Sequence, residues 1–248
     1  MTFRHVCSVL LMLVAFSLAR TAHGADVLKT AHFTIRNQAS VPVSQLRRFA
    51  AHLERIRMEV SGFLGLAPPR QVRIDVREGR AIPFIRGKRV RFYATLGRIH
   101  GQAAAHEMVH LITGYDSLPF LEEGLAVYVA EAIAPDDTTL FPQYGQPVNA
   151  WITLFHENGT LMPLEQAFFQ ETFDWNLEGS LEDSQAWQTY VQAGSFVRFI
   201  VESRGWHAFW KLHHLKNIRL SLGATMNEIE REWLEAVLSM EIRPKSCR

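Results

Sequence analysis

The chain has 248 residues, 48% of them hydrophobic, with 26 Lys or Arg against 25 Asp or Glu and a formal net charge of +1. Such a composition fits a globular protein built as one large domain or two small ones. The first 24 residues carry Arg4 and Arg20 and no acid, so the remainder has a net charge of −1, and nothing in that balance argues for a nucleic-acid partner.

The N-terminus runs from Arg4 and His5 through an apolar stretch, Val6 to Ala19, to Thr21-Ala22-His23-Gly24-Ala25. A basic start, a short apolar run and a small-residue site describe a secretory signal peptide cleaved after Gly24. The run is about 14 residues, short of the ~20 that span a bilayer, so no stable membrane insertion is expected after cleavage. The mature chain is expected in the periplasm or outside the cell. Cys7 leaves with the signal, and Cys247 remains near the C-terminus without an intrachain partner. Stability then rests on the core, and the free thiol suits a solvated tail on a monomer.

His32 to Ile35 alternates and reads as a short strand. Val41-Pro42-Val43-Ser44 opens a helix with Ser44 as candidate N-cap. Leu46, Phe49, Ala50, Leu53, Ile56, Val60, Phe63 and Leu64 recur at helical spacing, and the helix stops near Gly65. Val72 to Val76 alternates strictly, as a half-buried strand does. Ala81 to Ile85 and Arg89 to Leu96 flank a turn at Gly87, the pattern of a β-hairpin. Its second arm leads almost directly into the next helix. Either it is an internal strand or its free edge pairs with an extended peptide.

Gly101 to Thr113 reads as a buried helix carrying His106-Glu107-Met108-Val109-His110. Positions i and i+4 share a helix face, so both imidazoles point at one spot, which suits a tetrahedral Zn²⁺. The Glu between them suits a general base. A second apolar helix begins at Leu118-Pro119-Phe120-Leu121-Glu122-Glu123-Gly124-Leu125-Ala126-Val127-Tyr128. A carboxylate from it would supply the third protein ligand and leave the fourth position to water. Glu122 reads as a first-turn acid favoured by the helix dipole.

Ala130 to Pro147, rich in Pro and Asp, reads as a loop. Val148 to His156 and Leu164 to Phe169 read as short apolar elements, and Thr172 to Glu182 as irregular. From Ser184 to Ser203 apolar residues recur at helical spacing; Arg204-Gly205 ends that helix and Trp206 to Lys216 makes another. Met226 to Met240 is a last amphipathic helix, with Ile229, Trp233, Leu234 and Val237 inward. Tyr190 is either a core tyrosine or a phenol donor beside the metal; the residues alone leave both open. His207, His213 and His214 have no partner acid at ligand spacing and are read as surface or core histidines, while His100, six residues before His106, is close enough in sequence to sit near the site.

HEMVH followed by PFLEEGLAVY resembles the gluzincin zinc peptidases, in particular the aminopeptidase-N-like clan and the bacterial peptidase MA-like domains. The resemblance runs from about His32 to Leu238 and is most specific in these two segments. It implies His106, His110 and Glu123 as zinc ligands, Glu107 as the base, and Tyr190 as the tyrosine that stabilises the oxyanion. Phe120 stands where the family usually has Trp, and Val127 where an acid is common. The Gly-x-Met-Glu-Asn strand motif of true aminopeptidases is absent, so the resemblance implies the zinc chemistry without aminopeptidase specificity.

The expected fold is α+β, a thermolysin-like zincin domain spanning 25–248. A small mixed sheet (about 25–97) precedes the metal helices (about 98–134) and a mostly helical part (about 148–240). The expected activity is hydrolysis of peptide or protein substrates by metal-activated water. The rival expectations are an inactive zincin-like binding domain and a zinc hydrolase acting on a non-peptide amide.

Overall fold

The computed structural model describes residues 26–79, 83–86, 89–96, 98–99, 103–114, 117–133, 147–170 and 185–240. The expected signal peptide, Cys247, His100, and the irregular stretch 172–182 lie outside these residues.

A mixed six-stranded sheet forms the front half. Its strands are β1 (Asp26–Lys29), β2 (Phe33–Asn37), β3 (Val72–Glu78), β4 (Phe84–Arg86), β5 (Arg89–Thr95) and β6 (Arg98–Ile99). They order as β1-β2-β3-β5-β4, with β6 also on β5. β1 runs antiparallel to β2, while β2, β3 and β5 run parallel to one another. The connection from β2 to β3 is helix α1 (Val43–Leu64), as a parallel pair requires a long crossover. Phe33, Ile35, Val72, Ile74, Val76, Val90, Phe92 and Ala94 alternate onto one face and are buried. The apolar stripe of α1 covers that face, and the rings of Phe49 and Phe92 meet edge-on at 5.0 Å. α1 ends where Gly65 takes a left-handed φ of 65°.

Several expectations need correction here. The N-cap of α1 is Pro42, whose carbonyl accepts from the Gln45 and Leu46 amides; Ser44 is already inside the helix. Of the two readings of β5 the internal one holds: it pairs with β3 on one side and with β4 and β6 on the other, and among the described strands β1 and the short β4 lie at the edges. The hairpin is as expected in its described part, Ile85 opposite Val90. The sheet does not end with β5: Leu96, at φ 51°, turns the chain back into β6, which sits within the span expected for the metal helices. Asp75 is buried despite its alternating position, with Arg89 Nε 3.6 Å away.

The rest is helical: α2 (Ala104–Thr113), α3 (Pro119–Ile133), α4 (Val148–Glu157), α5 (Leu164–Phe168), α6 (Gln185–Leu215), α7 (Ile218–Leu222) and α8 (Met226–Leu238). α3 extends three residues beyond Ala130, where a loop was expected. α6 is two helical segments broken at Gly205 (φ 79°, ψ 168°), the break expected from Arg204-Gly205. α8 begins with a capping box, Thr225 and Glu228 satisfying each other's backbone amides. Ile229, Trp233 and Val237 face inward, while Leu234 is half-buried. No described helix is long and apolar enough to cross a membrane.

Candidate metal centre

α2 carries the two histidines. It starts at Ala104, three residues later than expected, because Ala103 adopts a left-handed φ of 73° that a helix cannot include. From Ala104 to His110 every residue is buried. Buried imidazoles need partners, and α3 brings Glu123 to them.

Three donor atoms converge. His106 Nε2 lies 2.9 Å from Glu123 Oε2, His110 Nε2 lies 3.3 Å from the same oxygen, and the two Nε2 atoms are 3.1 Å apart. A zinc ion held tetrahedrally at about 2.0–2.1 Å separates its ligand atoms by roughly 3.3 Å. The observed triangle is thus the base of such a tetrahedron, slightly compressed, and the set of two imidazoles and one carboxylate is one that zinc takes. The residues fit the ion. His106 Nδ1 is buried and has no hydrogen-bond partner among the described residues, so the ring is held through its Nε2 side.

Electrostatics divides the carboxylates. Burial alone would raise the pKa of Glu123, but the charge of His110 and hydrogen bonds from both imidazoles outweigh it and hold the group well below the ordinary carboxylate range. Burial lowers the pKa of His106 more than Glu123 raises it, which favours the neutral ring that a metal ligand must be. Glu107 moves the other way: burial first, then the neighbouring charge of Glu123, push its pKa well above the usual value. Glu122 is occupied elsewhere, its Oε1 accepting from the Ser117 amide at 2.5 Å. It ties down the start of α3, in keeping with the modest role expected for it.

Tyr190 comes from α6 and is buried, with its ring centroid 6.4 Å from that of His106. A close helix crossing puts it there. A Cβ built on Gly124 would lie 2.5 Å from the Ala193 carbonyl oxygen, and one on Gly194 would lie 2.4 Å from Val127 Cγ1. At Gly124 the backbone of α3 meets that of α6, and at Gly194 the backbone of α6 meets the Val127 side chain. Val127, which stands where the resemblance expects an acid, fills the space beside Gly194. His213 lies away from the three donors, at the end of α6, where its carbonyl accepts from Ser117 Oγ at 2.7 Å and anchors the loop before α3. Sequence reasoning missed Gly124 and Gly194 as positioning residues, although a glycine inside each helix was the available signal.

No protein-family model and no curated protein matches this chain. Among solved structures, an M1 zinc metallopeptidase from Deinococcus radiodurans aligns with 90% of the chain at 15% identity and a TM-score of 0.45. A point mutant of that enzyme aligns with 89% at 14% identity and the same TM-score. The chain spans about half the length of these structures, 53% of each. At that TM-score the likeness carries neither fold nor activity over to this chain.

Proposed function

We propose that this chain is a zinc-dependent peptidase of the thermolysin-like zincin type, exported by residues 1–24 and acting on peptide or protein substrates. The observation that carries the reading is the triangle of His106 Nε2, His110 Nε2 and Glu123 Oε2, with a buried glutamate one residue along from the first ligand. His106, His110 and Glu123 would hold Zn²⁺, which when bound polarises a carbonyl and makes water a nucleophile near neutral pH.

No hydrogen bond or ion pair holds the Glu107 side chain among the described residues, and its raised pKa makes it a stronger base than a solvated carboxylate. One of its carboxylate oxygens takes a proton from the attacking water and hands it to the nitrogen of the leaving amine. Tyr190 donates its phenolic proton in a hydrogen bond to the substrate carbonyl oxygen as negative charge gathers there. The apolar walls of α2 and α3 keep bulk water from competing for these groups. β4 packs against α2 and offers the free edge along which an extended substrate would lie.

The test uses purified protein, metal analysis and a peptide library. Wild type and Glu107→Gln are expected to hold about one zinc per chain, with cleavage only by wild type, and Glu123→Gln to lose the metal. Cleavage retained by Glu107→Gln, or zinc absent from wild type, would overturn the proposal. Zinc binding without cleavage of any peptide would leave the binding-domain alternative standing in its place.

A further inference from the structure

The near-zero net charge of the chain hides a strong segregation. Residues 26–99 contain 15 Lys or Arg and 5 Asp or Glu, a net of +10, and residues 100–248 contain 9 against 20, a net of −11. The sheet concentrates the positive part further. Cross-strand register places Lys29 opposite Thr34, Val27 opposite Arg36, Arg73 opposite Arg89, Asp75 opposite Arg91, Arg77 opposite Tyr93 and Thr95 opposite Arg98. Strand side chains alternate, so all of these share the face turned away from α1 and the metal centre. Lys29, Arg36, Arg73, Arg89 and Arg98 are exposed, and Arg77 and Arg91 half-buried. The acid among these residues is Asp75, buried beside Arg89.

We propose that this face is a docking surface for an anionic phospholipid bilayer. Charge complementarity is the first argument. On β5 Arg89 and Arg91 stand ~6.8 Å apart, on β3 Arg73 and Arg77 flank Asp75 at about twice that spacing, and neighbouring strands lie ~4.8 Å apart, so the cations spread in two dimensions across the strands rather than along one line. Six of the seven cations are arginines, whose planar fork binds phosphate oxygens in pairs. The second argument is the apolar rim. Val27 on β1 is 52% exposed, and Leu96, at the β5–β6 turn, is 92% exposed. Apolar side chains flanking a cationic face enter the headgroup boundary, as interfacial proteins require. A single-stranded nucleic acid would want exposed aromatic platforms, and the described aromatic on this face, Tyr93, is half-buried among arginines.

The test is co-sedimentation with vesicles of neutral phosphatidylcholine alone or mixed with phosphatidylglycerol. The wild-type chain is expected on the mixed vesicles at low salt, to leave them as ionic strength rises, and to ignore the neutral ones. Each exposed cation removed should lower partitioning about fivefold, so Arg36→Gln with Arg73→Gln and Arg98→Gln lowers it on the order of a hundredfold. The three single variants, each expected to lose about fivefold, keep the test open if the triple variant does not fold. Arg231→Gln, on α8, should change nothing. Equal binding to neutral vesicles, unchanged binding by all the sheet variants, or tighter retention on a single-stranded oligonucleotide than on mixed vesicles would each overturn the proposal.

Discussion

Gly124→Ala tests the crossing that joins the metal ligand to Tyr190. The added Cβ would sit 2.5 Å from the Ala193 oxygen, 2.7 Å from its carbonyl carbon and 2.8 Å from Val197 Cγ2. Two of the three atoms are backbone, so no rotamer change relieves the overlap and the helices must part by most of an ångström. Overpacking of this kind costs about 1–3 kcal/mol. Alanine's better helix propensity returns about 1 kcal/mol, leaving a net loss of about 0–2 kcal/mol, against the gain expected at an open helical glycine. Urea denaturation should show a lower midpoint at unchanged slope. Parting α3 from α6 also moves Glu123 relative to Tyr190, so the zinc-loaded variant should cleave peptides more slowly while still binding the metal. Gly62→Ala is the control: it is exposed inside α1, with nothing within 4 Å of the new Cβ, and should gain about 0.5–1 kcal/mol. A Gly124→Ala protein that gains as much stability as Gly62→Ala would refute the close crossing and the account of Tyr190's placement built on it.

Three further outcomes follow from local chemistry. Burial would raise the pKa of Glu54, but hydrogen bonds from Thr30 Oγ1 (2.6 Å) and from His32 through its ring and its amide (2.7 and 3.0 Å) outweigh it and lower the pKa. A carboxylate with a lowered folded pKa contributes stability above its unfolded pKa and loses it as pH falls through the folded one. Glu54→Gln should therefore cost about 1 kcal/mol at pH 7, discounted for partial exposure, and the gap to wild type should close in acid denaturation profiles below about pH 4. Lys216 caps α6 at a left-handed φ of 54° and is exposed, so Lys216→Gly should stabilise by about 0.5–1 kcal/mol in thermal melts. Zinc at a hundredfold its dissociation constant should add about 2.7 kcal/mol, a gain removed by a chelator and absent in Glu123→Gln, as scanning calorimetry would read.

The elements that sequence reveals here are those whose signal is periodic and local. The stripe from Leu46 to Leu64 and the alternation from Val72 to Val76 give α1 and β3 almost to the residue, and the i, i+4 histidines give the centre of α2. The two-residue β6, the four-residue β1 and the five-residue α7 carry too few residues for a period to register. The start of α2 was misjudged because Gly101, Gln102 and three alanines suit a helix, whereas the backbone turns at Ala103 instead. The basic sheet face escaped for a different reason. Net charge averages over the chain, while a strand period of two sorts Arg73, Arg77, Arg89 and Arg91 onto one side. Only the register of β3 against β5 shows that their arginines stand together.

The carboxylates of the two metal helices can be told apart by what each one answers to. α2 and α3 are apolar and buried, so a carboxylate on either needs a partner or a use. Glu122 accepts from the Ser117 amide and fixes the entry to α3. Glu131 accepts from the Val148 amide at 3.2 Å and lies 3.4 Å from Arg198, so it fastens α3 to α4 and α6. Glu123 is held between two imidazoles. Of the four, the Glu107 side chain has no hydrogen bond or ion pair among the described residues, and burial drives its pKa well upward. Three of these carboxylates thus serve contacts within the described fold, and the fourth stands one residue after His106, a member of the converging donor set. Under the proposed function that carboxylate serves as the base, so Glu107→Gln, which keeps the shape and removes the base, is expected to separate chemistry from structure at this site.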